Sequence, residues 1–224
     1  MLPAAFAVLS TSLCMRTPPP SAATAPLLDA LAPLGYAGFD ASSKQRREVE
    51  SLLKDLIALN PNPQPAVGAS LDGDWELIYS DAPDITGLAN SGPLLALRRV
   101  GQQIDADAGT IQNVIEYGPR SWLPGLDLAN AREDVLQQRV LLSYSVAEDG
   151  RRCRLQISGL QLGARQLLGT NLRSTPPLTL KGFVEAPFGD FTCLYNDGDV
   201  RVVRTLQGYY GVNRRCPKGR GWDA

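Results

Sequence analysis

Between Leu71 and Asn213 apolar and polar residues alternate in short runs separated by turn-forming residues, and this period of two constrains the fold more than any other feature. Trp75, Leu77 and Tyr79 alternate with Asp74 and Glu76. Thr110 to Tyr117 is a β-branched run. Leu136, Gln138, Val140, Leu142, Tyr144 and Val146 share one parity, Asp149-Gly150 gives a hairpin signal, and Cys153, Leu155 and Ile157 resume the alternation. Gly159 interrupts before Leu160 and Leu162. Leu178, Leu180, Gly182 and Val184 share a parity, Phe191 to Tyr195 and Val200 to Arg204 flank the turn Asn196-Asp197-Gly198-Asp199, and Tyr209 to Asn213 ends the series. Seven to nine strands result, with residues 85–97 leaving room for a short turn of helix. Meandering antiparallel strands of this number form a sandwich or a closed barrel, and closure removes edge strands and can enclose a ligand. The expected fold class is therefore mainly β, an antiparallel barrel preceded by an amphipathic helix.

That helix is read from Ser42 and Gln45, which have capping-box spacing, followed by Val49, Leu52, Leu53, Leu56 and Ile57 on one stripe. Asn60-Pro61 ends it, because a residue before proline avoids the α region. Pro26 to Leu31 is expected to form a shorter helix. Residues 1–25 are different in kind: apolar and small to Leu13, without an acidic residue, then Arg16, three prolines and an Ala/Ser/Thr stretch. This is the composition of a targeting leader or of a disordered N-terminus. The expected organisation is a leader at 1–25, a helical segment at 26–62, a barrel at 68–216 and a basic tail at 217–224.

Composition narrows the chemistry. The chain contains no histidine, which removes Ser-His-Asp triads, Cys-His dyads and His-ligated metals. A formal net charge of −1 argues against a nucleic-acid partner. Cys14, Cys153, Cys193 and Cys216 form no C-x-x-C pair, so no metal or redox motif is indicated, and Cys153 and Cys193 fall on apolar strand parities as core thiols. No cofactor and no metal are expected. No uncharged apolar run approaches the ~20 residues of a membrane-spanning helix, so membrane contact is expected to be peripheral.

Gly73-Asp74-Trp75 opens the strand series. In lipocalin-like folds a G-x-W at the first strand pairs with an arginine from the last strands, stacked on the indole, and Arg201, Arg204 and Arg214 are the candidates. The stretch Leu71 to Ser80 resembles the opening strand of the plastid lipid-associated proteins, the fibrillin family, L-x-G-x-W-x-L-x-Y-[ST]. Val100 to Asp105 with Gly109 to Glu116 is similar to the family's second region, and Leu155 to Leu168 matches a third loosely. Tyr195 to Arg204 resembles its closing Y-x-D-x-[DE]-[LI]-R-[IV]-x-R, and Gly208 to Arg215 its G-x-x-F-V-x-x-R end. The resemblance covers about residues 45–215. Thr205 stands where the family usually has glycine, and Gly211-Val212 replaces Phe-Val. The resemblance implies a lipocalin-like barrel, residence in plastids at thylakoids or plastoglobules, and binding of carotenoids, quinones or fatty acids.

A lipid site needs a concave apolar wall with a few polar groups. The inward parities offer Trp75, Leu77, Tyr79, Leu142, Tyr144, Leu155, Ile157, Leu180 and Tyr195, with Arg201 as a polar contact. Asp197, Asp199 and Arg204 are candidates for a polar end of the barrel; the competing reading of the aspartates is turn chemistry. Trp122-Leu123-Pro124-Gly125 is a candidate lipid-dipping loop. Three functions compete: a non-enzymatic protein that carries or coats lipids or prenyl-lipids at a membrane or droplet surface, an adaptor binding a plastid protein through the amphipathic helix, and a small lipid-modifying enzyme. No G-x-S-x-G motif supports the last.

Overall fold

A computed structural model describes residues 21–68, 70–90, 95–120, 134–167, 170–181 and 187–223. Residues 1–20 of the expected leader, the Trp122–Gly125 loop, and Gly182 and Val184 lie outside them. Helix α1 (Ala25–Leu31) carries Pro26 in its first turn, where a missing N–H costs nothing. Helix α2 (Ser43–Ala58) begins on the expected capping box: Ser42 Oγ accepts from Gln45 N at 3.3 Å, and Gln45 Oε1 accepts from Ser42 N at 2.9 Å. Single 3₁₀ turns at Ala32–Leu34 and Tyr36–Gly38 join the two. After the first strand come a short helix, α3 (Pro83–Thr86), and a 3₁₀ turn at Gly87–Asn90.

Among the described residues ten strands follow the helical segment: β1 (Gly73–Ser80), β2 (Leu95–Asp105), β3 (Thr110–Pro119), β4 (Val135–Val146), β5 (Arg152–Leu167), β6 (Thr170–Asn171), β7 (Leu178–Lys181), β8 (Pro187–Asn196), β9 (Val200–Thr205) and β10 (Tyr210–Arg215). Eight of them close an antiparallel barrel in the order β1-β2-β3-β4-β5-β8-β9-β10, with β10 returning to β1 through pairs such as Trp75 with Arg215 and Leu77 with Asn213. The lipocalin-like expectation holds. Among the described residues, strands β6 and β7 pair with β5 alone.

Gly159 does not interrupt β5 as expected. The strand runs on for 16 residues with Ser158 bulged, since Leu141 faces Gly159 while Leu142 faces Ile157. A side chain at Gly159 would meet the Leu180 carbonyl at 2.9 Å, so glycine permits the close approach of β7. Beyond this point β5 leaves the barrel and forms a ribbon with β4 and β7.

Two further bulges decide which side chains face inward. Leu77 pairs with Asn213 but Tyr79 with Val212, which leaves Ile78 as the extra residue. Cys193 pairs with Val203 but Tyr195 with Val202, which leaves Leu194 extra. One inserted residue reverses the alternation. Trp75 and Cys193 therefore point into the barrel, whereas Tyr79 and Tyr195 point out of it.

The outward set builds one core with the helices. Leu27, Leu28, Leu31, Val49, Leu53 and Leu56 pack on Tyr79, Tyr195, Val202 and Val212, all buried. Burying each such side chain contributes roughly 1.5–3 kcal/mol. The apolar stripe of α2 is thus covered within the molecule rather than offered to a membrane or a partner. The inward set, with Trp75, Ile104, Ile111, Leu142, Cys153 and Phe191, forms the second core. None of the described helices is long and apolar enough to cross a membrane.

Two outlying segments complete the wall. Pairing of β1 with β2 ends at Glu76–Gly101, and there the Tyr36 hydroxyl takes over: it accepts from Val100 N at 2.5 Å and donates to Val100 O at 3.4 Å. Beyond β10 the chain folds back over the outside of the barrel. Trp222 is fully buried, donates its indole N–H to Gln102 O at 3.1 Å and lies under the Arg99 guanidinium at 4.2 Å. It rests on Gly101, where a side chain would collide with both the indole and the Trp75 carbonyl.

Candidate functional site

Trp75 forms the floor of the barrel. Gly73, with φ +107°, turns the chain into β1. The indole N–H donates to Leu71 O at 2.8 Å. Two guanidinium groups lie over the ring, that of Arg201 at 4.8 Å and that of Arg215 at 4.3 Å from its centroid. Of the three candidate arginines only Arg201 meets Trp75. Arg204 sits over Tyr210 at 5.2 Å, Arg214 is exposed, and Arg215 is the second partner that the spacing alone did not single out.

Arg201 is fully buried. It shares the inward face of β9 with Val203 and Thr205, one inward position deeper than the first and two deeper than the second. Its Nη2 donates to Gln102 Oε1 at 2.5 Å, and Gln102 Nε2 donates to Asn113 Oδ1 at 2.9 Å. Burial lowers its pKa to about 10, so the group remains a cation at neutral pH.

Above this layer lies a cavity of about 450 Å³. Leu77, Val100, Ile115, Val140, Leu155 and Phe191 give it an apolar wall; Gln102, Asn113 and Asn213 give it a polar base. Gln102 and Asn113 stand one inward position above Ile104 and Ile111, which pack with Trp75. The exposed residues Asp84 and Gln207 mark the rim. This volume falls in the range of small-molecule sites, roughly 300–1,000 Å³.

The apolar wall does not stop at the rim. Val140 is paired with Leu160, Leu160 with Leu180, and Leu162 with Leu178. Directly opposed residues project from the same side of a sheet. Leu160, Leu162, Leu178 and Leu180 therefore carry the inward face out along the ribbon, where Leu178 is 62% and Leu180 42% exposed.

Among the residues expected to contact a ligand, Leu77 and Leu155 line the cavity. Trp75 and Leu142 pack in the core beneath it, Tyr144 and Ile157 pack against that core only partly buried, and Arg201 lies in the floor. Tyr79 and Tyr195 lie outside the barrel, reversed by the bulges at Ile78 and Leu194. Leu180 lies on the ribbon rather than in the barrel.

The expected polar end at Asp197, Asp199 and Arg204 is not at the cavity. Asp197 Oδ1 accepts from Asp199 N at 3.0 Å and Val200 N at 2.8 Å, which is turn chemistry, and its Oδ2 accepts from Tyr195 Oη at 2.9 Å. Asp199 is exposed, and Arg204 donates from Nε to Gly208 O at 3.1 Å. The polar groups that do face the cavity, Gln102, Asn113 and Asn213, were missed. Their signal is a polar residue on an otherwise apolar parity, Val100-x-Gln102-x-Ile104 and Ile111-x-Asn113-x-Ile115.

Cys153, Cys193 and Cys216 are free thiols. Burial pushes them up to about 12, about 11 and about 11 respectively, so each is protonated and unreactive at neutral pH.

The chain is 40% identical over 79 residues to probable plastid-lipid-associated protein 3 of Arabidopsis thaliana, which is 34% of this chain and 21% of that protein. It is 38% identical over 79 residues to plastoglobulin-1 of Pisum sativum, 34% of this chain and 22% of that protein. It is 36% identical over 89 residues to chromoplast-specific carotenoid-associated protein C1 of an Oncidium hybrid cultivar, 38% of this chain and 28% of that protein. The matched stretches thus span about a quarter of the length of these relatives. No solved structure matches significantly. The PAP_fibrillin family model, by contrast, matches residues 21–212, nearly all of the chain from α1 into β10, and the chain belongs to the PAP_fibrillin family.

Proposed function

We propose that this chain is a non-enzymatic plastid protein that holds a hydrophobic molecule, such as a fatty acid, quinone or carotenoid, and works at plastoglobule or thylakoid surfaces. The observation that carries this reading is the apolar wall that continues from the cavity onto the exposed leucines of β5 and β7. A lipid leaving a droplet or bilayer could follow that track without crossing water, and exposed apolar residues grouped on one element mark a contact surface. Relatives named plastoglobulin and plastid-lipid-associated protein support the location, and one named for carotenoid association supports the class of cargo.

The test is native purification of the full chain from a lipid-rich host, followed by organic extraction and mass spectrometry. A Leu155→Trp variant that fills the cavity serves as control. Stoichiometric lipid in the wild type, lost in the variant, is the expected result. Flotation with lipid droplets but no stoichiometric lipid would leave a surface coat and remove the carrier. Absence of both would refute the proposal.

A further inference from the structure

We infer that Asn213 is the residue by which the cavity recognises its ligand, an amide that bonds a neutral carbonyl oxygen at the inner end of an otherwise hydrocarbon molecule. The inference rests on the cavity being a site for a hydrophobic molecule, as proposed above, and adds the residue that selects and the chemistry it selects for.

Asn213 stands on β10 between Leu77 of β1 and Arg201 of β9, and its side chain lines the cavity. It is only 3% exposed. Asn196, equally buried, is bonded at both ends of its amide: Nδ2 donates to Pro65 O at 2.9 Å, and Oδ1 accepts from Gly198 N at 3.0 Å. Among the described residues the Asn213 amide has no such partner. Buried amides are nearly always bonded, because an unmet one destabilises the fold. Gly211, the next inward residue of β10, keeps this amide uncovered: a side chain there would stand 4.0 Å from Asn213 Nδ2.

Arg201 sets the polarity of the surrounding base. A guanidinium only donates, so Gln102 turns its oxygen toward Arg201 Nη2. Gln102 Nε2 then donates to Asn113 Oδ1 at 2.9 Å, which leaves Asn113 Nδ2 and its N–H groups for the cavity. With Asn213 Nδ2, the free donors outnumber the one free amide oxygen, that of Asn213. Such a base complements an oxygen that accepts and carries no proton. Leu77, Val100, Ile115 and Phe191 surround the rest of the molecule. Arg201 itself does not line the cavity; its charge orders the base through Gln102 and calls for no charged ligand.

The experiment measures 2-undecanone, 2-undecanol and undecane on the full chain freed of bound lipid, by displacement of the neutral fluorophore 1-aminoanthracene. Asn213→Leu removes the amide at similar volume. It should weaken the ketone about tenfold, the effect of one lost hydrogen bond, and leave undecane bound as tightly or more so. In the wild type the ketone should bind more tightly than the alcohol. Because Asn213 bonds nothing in the empty protein, the variant should melt no lower than the wild type; a lower Tm would show that the amide serves the fold and would overturn the assignment. A second measurement needs no variant: the side-chain ¹⁵N–¹H signals of Asn213 should move downfield with the ketone and not with undecane. Equal losses of ketone and undecane in the variant, an alcohol bound more tightly than the ketone, or amide signals indifferent to the ketone would overturn carbonyl recognition while sparing the cavity as a site. Failure of the fluorophore and of all three ligands to bind would overturn both.

Discussion

Replacing Trp222 with alanine tests how much of the barrel's stability resides outside its strands. The ring is fully buried, donates one hydrogen bond to Gln102 O and stacks with Arg99. Removing a buried tryptophan costs roughly 3–5 kcal/mol in a core. The neighbouring Arg139–Asp223 ion pair adds little, because Asp223 is mostly exposed. For a chain of this length each kcal/mol moves Tm by about 2–4 °C, so the variant should melt roughly 6–20 °C lower. Urea and thermal unfolding followed by far-UV circular dichroism and tryptophan emission would measure this. A variant ending at Cys216 should lose a similar amount, since Trp222 is the anchor of that segment. A Trp222→Ala change below about 0.5 kcal/mol, in the range of ordinary surface substitutions, would refute the docking of the tail.

Other perturbations address single contacts. Tyr36→Phe removes the acceptor for Val100 N–H and should destabilise by about 1–3 kcal/mol in urea denaturation, the cost of an unsatisfied buried donor. Ser42→Ala removes the cap of α2 and should cost about 1 kcal/mol in the same assay. The buried thiols make a pH prediction. Cys153 keeps its proton to about pH 12 and Cys193 to about pH 11 when folded, against 9.0 for an ordinary thiol. Above pH 9 the unfolded chain therefore binds fewer protons than the folded one, and stability falls as pH rises from 9 through 11. A Cys153→Ala, Cys193→Ala variant should show a flatter decline over that window. Iodoacetamide should label neither thiol at pH 8 until denaturant is added.

The barrel was legible in the sequence because a half-buried strand writes its two faces as alternation, and the turn pairs Asp149-Gly150 and Asp197-Gly198 mark where strands reverse. The helix was legible because the capping box and apolar stripe are local. The bulges were not. Leu77-Ile78-Tyr79 and Cys193-Leu194-Tyr195 are apolar at every position, so nothing in the pattern shows where one residue is extra. That is why Tyr79 and Tyr195 read as cavity residues. The polar base was visible as Gln102 and Asn113 on apolar parities, but a buried amide reads as a break in the pattern until its partner is known. Trp222 follows a segment without periodicity, and only the tertiary fold gives it a place.

The bulges at Ile78 and Leu194 have a consequence for how such a protein can diversify. Each divides one continuous strand into a stretch that faces the barrel interior and a stretch that packs on the helices. Substitutions at Leu77 or Phe191 can reshape the chamber while Tyr79 and Tyr195 keep α1 and α2 in place. A lineage can in this way change the shape of the barrel interior without renegotiating the scaffold.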